Sequence, residues 1–182
     1  MDIVKAFKDS CDIYCKNFLT IFISAIVVII LSVLTLGILM MPLLVGLQML
    51  FVKAKRGEAI SLNDIFAPMK NYWALSIAGL WISTLICLGF CLFILPGLCW
   101  SAWWLYSLLM IADKKMGIGE SMRASKELVR KDNIWLHILL IMVSTVIINL
   151  GNLVPLAGLL VALLIFPVGI GAISCAYAEE TK

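Results

Sequence analysis

The 14 basic and 11 acidic residues of this chain are confined to four segments, 2–16, 53–70, 113–132 and 179–182. Between them lie uncharged runs at 17–52, 71–112 and 133–178, of 36, 42 and 46 residues. A helix that crosses a bilayer uses about 20 apolar residues, within a range of about 17–25. Each run is too long for one crossing and fits two crossings joined by a tight turn. Thr35-Leu36-Gly37 with Pro42 divides the first run, and Gly89 to Gly97, through Leu95-Pro96-Gly97, divides the second. Asn149-Leu150-Gly151-Asn152 with Pro155 divides the third. Glycine and proline are the usual punctuation of helical patterns. The expected fold class is all-α: a polytopic membrane protein of about six transmembrane helices paired as three hairpins. The expected spans are 18–36, 38–54, 72–92, 96–112, 134–150 and 156–177. A first hairpin that re-enters without crossing is the alternative the residues leave open.

Composition agrees with this reading. The chain is 63% hydrophobic and 14% charged, against about 25% charged in soluble domains. A chain of this length cannot hide so much apolar surface in one water-soluble core. Its net charge of +3 is too small and too dispersed for a nucleic-acid-binding face, so no nucleic-acid partner is expected. The mixed-charge leader of 16 residues and the long apolar stretch after it do not read as a cleavable signal. Every Lys and Arg lies in the four charged segments and none in the hairpin turns. The positive-inside rule then places both termini and both charged loops in the cytoplasm.

The chain reads as a single integral membrane domain, 1–182, with internal repeats at 1–56, 57–116 and 117–182. Lys16-Asn17-Phe18, Lys70-Asn71-Tyr72-Trp73 and Lys131-Asp132-Asn133-Ile134-Trp135 each open a hairpin. Pro42 follows Asn17 by 25 residues and Pro96 follows Asn71 by 25; Pro167 follows Asn133 by 34. Gly57-Glu58-Ala59 and Gly119-Glu120-Ser121 each precede the next such asparagine by 14. A repeated spacing of this kind signals a repeated structural unit. Each unit is expected to begin with an amphipathic helix in the headgroup plane. Its apolar positions are Ile3, Val4, Phe7, Cys11, Tyr14, Cys15 and Phe18 in the first unit. In the second they are Leu62, Ile65, Phe66, Met69 and Trp73, after a capped start at Ser61-Leu62-Asn63-Asp64. In the third they are Ile118, Met122, Ser125 and Val129.

Few residues stand out chemically. The uncharged runs hold one titratable side chain of the usual functional kind, His137. It reads as an interfacial histidine partnered by water or lipid, with a proton relay as the alternative. Gln48, Ser83 and Asn149 read as hydrogen-bonding positions between helices, with solute lining as the alternative. Ala74/Ala78, Gly79/Ser83 and Ala172/Ala176 are small pairs suited to close helix packing. Trp100, Trp103 and Trp104 are expected near the outer end of the fourth span, and Trp73 and Trp135 at inner ends. Trp100 and Trp104 share a face that could serve a ligand or partner. Cys11/Cys15 and Cys87/Cys91 read as buried small hydrophobes, and Cys91 and Cys99 flank the second turn. The segment 113–132 mixes six basic with four acidic residues and reads as a solvated face with access to anionic headgroups. No nucleophile elbow, phosphate loop, dinucleotide turn or zinc spacing is present in the sequence. No catalytic residue, cofactor or metal is expected.

The stretch Ile94 to Trp135 carries a pattern. Leu95-Pro96-Gly97 is followed by an aromatic-rich helix, then Ala112-Asp113-Lys114-Lys115-Met116-Gly117, then Glu120-Ser121-Met122-Arg123-Ala124-Ser125. It resembles the YciC-like family of bacterial inner-membrane proteins. The membrane domain found beside glycerophosphodiester phosphodiesterases shows a similar pattern. The resemblance covers about a quarter of the chain. It implies a multi-pass protein of about six helices in a bacterial cytoplasmic membrane and supplies no catalytic residue. The expected function is non-enzymatic: an accessory or structural role through packing with a second copy, a membrane-protein partner or lipid. The alternative is a transporter or channel for a small neutral or amphipathic solute.

Overall fold

The computed structural model describes residues 3–149 and 158–181. All its regular structure is helical, with no strand among the described residues. The elements are α1 (Ile3–Lys16), α2 (Phe18–Leu34), α3 (Met40–Lys55), a 3-10 helix (Leu62–Asn71), α4 (Tyr72–Leu92), α5 (Ile94–Trp103), α6 (Ser107–Lys114), α7 (Ile118–Lys131), α8 (Ile134–Asn149) and α9 (Gly158–Glu180).

By length and composition, two helical stretches can cross a membrane: Leu62–Leu92, and Ile94–Lys114 taken through its break. The number rises to four if each bent pair is one span: α1 with α2, bent by 97°, and α7 with α8, bent by 105°. Bends of that size set α1 and α7 nearly across the helices that follow them. The first bend falls at Asn17, whose side-chain amide donates to Ile13 O at 3.2 Å. The second follows Asp132, whose backbone is extended.

The turns follow their glycines and prolines. After α2, Leu36 and Gly37 take positive φ, and the Gly37 N–H donates to Ser32 O at 2.7 Å. This is the left-handed cap that frees a helix end. Pro42 and Pro96 fall in the first turns of α3 and α5, where a missing N–H leaves no gap. Phe93 alone joins α4 to α5. So short a link closes because a Cβ at Gly89 would already lie 2.8 Å from the Trp100 ring. The third turn, beyond Asn149, lies outside the described residues.

Three elements depart from the expected pattern. The segment 62–71 is a 3-10 helix with Pro68 inside it. In an α-helix the proline ring would strike the carbonyl four residues back; three residues per turn instead align Ile65 with Pro68, and those two are buried. Leu62, Phe66 and Trp73, expected on the apolar face of the same helix, are exposed. The expected span 96–112 is divided at Trp104–Tyr106. There the Ser125 hydroxyl of α7 donates to Trp103 O at 2.8 Å and accepts the Tyr106 N–H at 3.2 Å. An inserted side chain of this kind is a recognised cause of a break in the helical ladder. The sequence pattern also gave Cys11, Cys15, Cys87 and Cys91 as buried, but all four are exposed; Cys91 and Cys99 are free thiols. An outward thiol in lipid meets apolar surroundings without needing protein around it.

The core is organised around α3. Pro42, Leu43, Val45, Gly46, Leu47, Leu50, Phe51 and Val52 bury it on all sides, as befits a helix enclosed by others. One cluster joins α3 to α1, α2, the 3-10 helix and α9 through Tyr14, Ile21, Leu47, Phe51 and Ile65. A second joins α5 through α9 through Ala102, Tyr106, Val129, Leu140 and Ala176. A third joins α3, α4 and α6 through Val45, Leu75, Ala78 and Ile111. The buried face of α1, Ala6, Ser10 and Tyr14, meets protein: Ser10 donates to Val168 O of α9 at 2.9 Å. By contrast α2, α4 and α8 present large apolar side chains outward, among them Val33, Trp73, Leu80 and Val146; Trp73 is 75% and Leu80 71% exposed.

Close approach at α3 depends on Gly46. A Cβ there would lie 2.1 Å from Ile65 O, a backbone atom that cannot swing aside. Gly119, at the start of α7, has nothing within 4 Å of its Cβ position. Gly46→Ala should lower unfolding stability in detergent by about 1–3 kcal/mol, and Gly119→Ala should leave it unchanged or slightly raised. Thermal denaturation followed by circular dichroism distinguishes the two; equal midpoints would show that α3 and the 3-10 helix are not in contact.

Candidate functional site

The last turn of α3 carries Lys53 and Lys55, with Arg56 just beyond it. Cations suit this position because the helix C-terminus carries partial negative charge. Each goes to a different element. Lys53 Nζ donates to Asp64 of the 3-10 helix at 2.7 Å. Lys55 pairs with Asp9 of α1. The Arg56 guanidinium donates two bonds of 2.7 Å to the carboxylate of Asp113 on α6, the forked geometry that makes such pairs strong. This hydrogen bonding to Asp113, ahead of burial, which opposes it, holds Arg56 above its ordinary pKa. Asp113 also accepts the Tyr177 hydroxyl of α9 at 3.0 Å. Lys5 of α1 pairs with Glu179 of α9.

His137 continues this network and corrects the expectation of a water- or lipid-facing histidine. Its side chain is fully buried and its Nε2 lies 3.1 Å from Oε1 of Glu180 on α9. Its Nδ1 lies 3.2 Å from Asn133 O. A carbonyl can only accept, so Nδ1 carries a proton, and the Nε2–Glu180 contact holds a further one between base and acid. The imidazole stands edge-on to Tyr106, 5.6 Å between ring centres, and Tyr106 lies 5.6 Å from Tyr177. Burial, the largest influence, pushes the Glu180 carboxyl above the ordinary range, opposed by His137 and reinforced by Asp132.

The other sequence candidates do not join this cluster. Gln48 is half-buried on α3, Ser83 is exposed on α4, and Asn149 is exposed at the end of α8, where it donates to Thr145 O at 2.8 Å. Trp100 and Trp104 meet at 5.9 Å between ring centres. Apart from that pair, no hydrogen bond or ring contact among the described residues joins two of the six candidates. Trp103 was expected with them near the outer end. It lies beneath Lys126 Nζ of α7, 4.5 Å from the ring centre. Of the small pairs, Ala78, Gly79, Ala172 and Ala176 are buried, while Ser83 is not. Among the described residues no group of three or more His, Cys, Asp or Glu is arranged to hold a metal.

Sequence reasoning missed Arg56, Asp113, Tyr177 and Glu180. A signal was available. Arg56, Asp113, Asp132 and Glu180 all stand within a few residues of an uncharged run's end, where helix termini converge. Asp113 and Asp132 fall in the segment that reads as a solvated face, and for none of the four does its own segment show the partner. The arrangement ties helix ends together and holds protons; it presents no nucleophile with an adjacent base.

The chain is thus a helical protein with two to four stretches able to cross a membrane and a network of ion pairs between helix ends. No family model, curated protein or solved structure matches it.

A raised Glu180 pKa favours the folded state fully below the ordinary glutamic value of about 4.3. That contribution is lost as pH rises through the higher folded value. Glu180→Gln cannot ionise. Between about pH 4 and pH 7, the melting midpoint of the native chain should fall relative to that of Glu180→Gln; parallel curves would show that Glu180 does not titrate in a buried setting.

Proposed function

We propose that this is a non-enzymatic multi-pass membrane protein that acts through its packing surfaces, engaging a second copy, a membrane-protein partner or lipid. The observation that carries this reading is the outward apolar face of α4. Trp73, Ile77, Leu80, Trp81 and Leu88 are exposed along it, while the ion pairs that join helix ends lie elsewhere. Water would penalise such a face; lipid or another helix covers it. Six spans in three hairpins, with both termini cytoplasmic, accommodate α2, α3, α4, α5–α6, α8 and α9. The near-perpendicular bends before α2 and α8 suit helices running along a membrane surface. Membership of the YciC-like family and residence in a bacterial inner membrane belong to the same proposal. Its support is that Ser121 and Ser125, within the resembling stretch, are with Val129 the buried positions of α7. Packing is preferred to solute transport because no hydrogen bond among the described residues joins Gln48, Ser83 and Asn149.

Cys87 and Cys91, exposed on α4, make the reading testable. Oxidative crosslinking in native membranes should give a dimer or a defined heteromeric adduct, which Cys87→Ala/Cys91→Ala diminishes. Dispersed monomers under all crosslinking chemistries, with no lipid retained in native mass spectrometry, would overturn it.

A further inference from the structure

The bend between α7 and α8 opens a groove of about 710 Å³. Its lining combines the cations Arg130 and Lys131 with the aromatic and apolar Trp103, Ile134, Trp135 and Leu136. Arg130 and Lys131 are exposed and form no ion pair with a described residue. This contrasts with Lys5, Lys53, Lys55 and Arg56, each engaged with a carboxylate. Lys126, one turn before Arg130, adds a third cation where it covers Trp103. Asp132 and Asn133 complete the lining. Asp132 adds one carboxylate to the lining and offsets one of these cations. Helix α7 as a whole carries four basic residues against two acidic ones.

We propose that this groove binds the phosphate of an anionic phospholipid, one headgroup per chain. Guanidinium and ammonium groups recognise phosphate by charge and by forked donor geometry, and tryptophans belong at headgroup depth. The outward face of α8 selects a lipid over free phosphate. Trp135, Leu139, Met142 and Val146 are exposed at helical spacing and form one apolar stripe leading away from the groove. A headgroup held by Arg130 and Lys131 therefore lays its acyl chain along that stripe. The proposal rests on the membrane reading above and adds a lipid class and an address to it.

The test uses the full chain in nanodiscs of equimolar phosphatidylcholine and phosphatidylglycerol, with lipids retained after release counted by native mass spectrometry. The native chain should retain one phosphatidylglycerol in preference to phosphatidylcholine. Each nearby cation strengthens anionic lipid binding about fivefold, so Arg130→Gln/Lys131→Gln should cut the preference about thirtyfold. Lys8→Gln/Lys16→Gln, matched in charge, should leave it intact. Equal retention of the two lipids by the native chain, or an unchanged preference in the Arg130/Lys131 variant, overturns the proposal. So does displacement by excess inorganic phosphate, which would make the ligand soluble. A photoreactive phosphatidylglycerol analogue covers the case of a variant that does not fold. On the native chain it should label residues 126–139, and labelling confined elsewhere overturns the site. The membrane reading is checked separately by alkaline extraction: a chain that stays in the bilayer but shows no lipid preference loses the groove and keeps the membrane.

Discussion

Lys53, Lys55 and Arg56 leave the end of α3 in three directions, and each ends on a carboxylate of a different element. The other helix contacts are compatible with this geometry because α3 is buried on every side and can reach α1, the 3-10 helix and α6 at once. In lipid the usual driving force for bringing helices together is absent, since a lipid tail is as apolar as a leucine. On the proposed membrane reading, close backbone approach and polar ties hold the bundle. Gly46 supplies the approach on one side of α3, where Ile65 lies against it. Gly171 of α9 supplies it on another, where a Cβ would meet Ser10 Oγ and the Phe51 ring. The cations supply the ties. Removing one partner from such a partly buried pair leaves an uncompensated charge, so the three pairs and the two approaches support one another.

The same end of the protein gathers its proton-bearing side chains. His137 and Glu180 form one hydrogen-bonded pair, and Tyr106 and Tyr177 stand between it and the Arg56–Asp113 pair. The last turn of α9 takes part in both, through Tyr177 and Glu180. Its position is set from two sides by groups that differ in kind, an always-charged guanidinium and a carboxyl that can be neutral.

Much of the architecture was legible in the charge map. The uncharged run starting at Asn71 gave α4 its bounds, 72–92, because apolar length and the helix coincide there. Pro42 and Pro96 marked helix starts for the same local reason. What was not legible came from contacts between segments. The division of the fourth span depends on a serine 22 residues beyond Trp103. The burial of His137 depends on a glutamate 43 residues away. The cysteines misled because burial was inferred from apolarity, and in a lipid setting apolar residues have no reason to turn inward. The apolar stripe of α1 shows the same thing: Ala6, Ser10 and Tyr14 take the inside, while Val4, more hydrophobic than any of them, is 78% exposed.

The Ser125 hydroxyl carries a further consequence. It completes the backbone hydrogen bonding of α5 and α6 from outside their own sequence, as a peg does in a joint. Lifting α7 away would leave the Tyr106 N–H and the Trp103 carbonyl without partners in apolar surroundings, at about 1–3 kcal/mol for each unsatisfied group. The stiffness of the Ile94–Lys114 rod is therefore borrowed from a neighbour. A force applied to α7 acts directly on that rod at its break, so the two bend as one mechanical part.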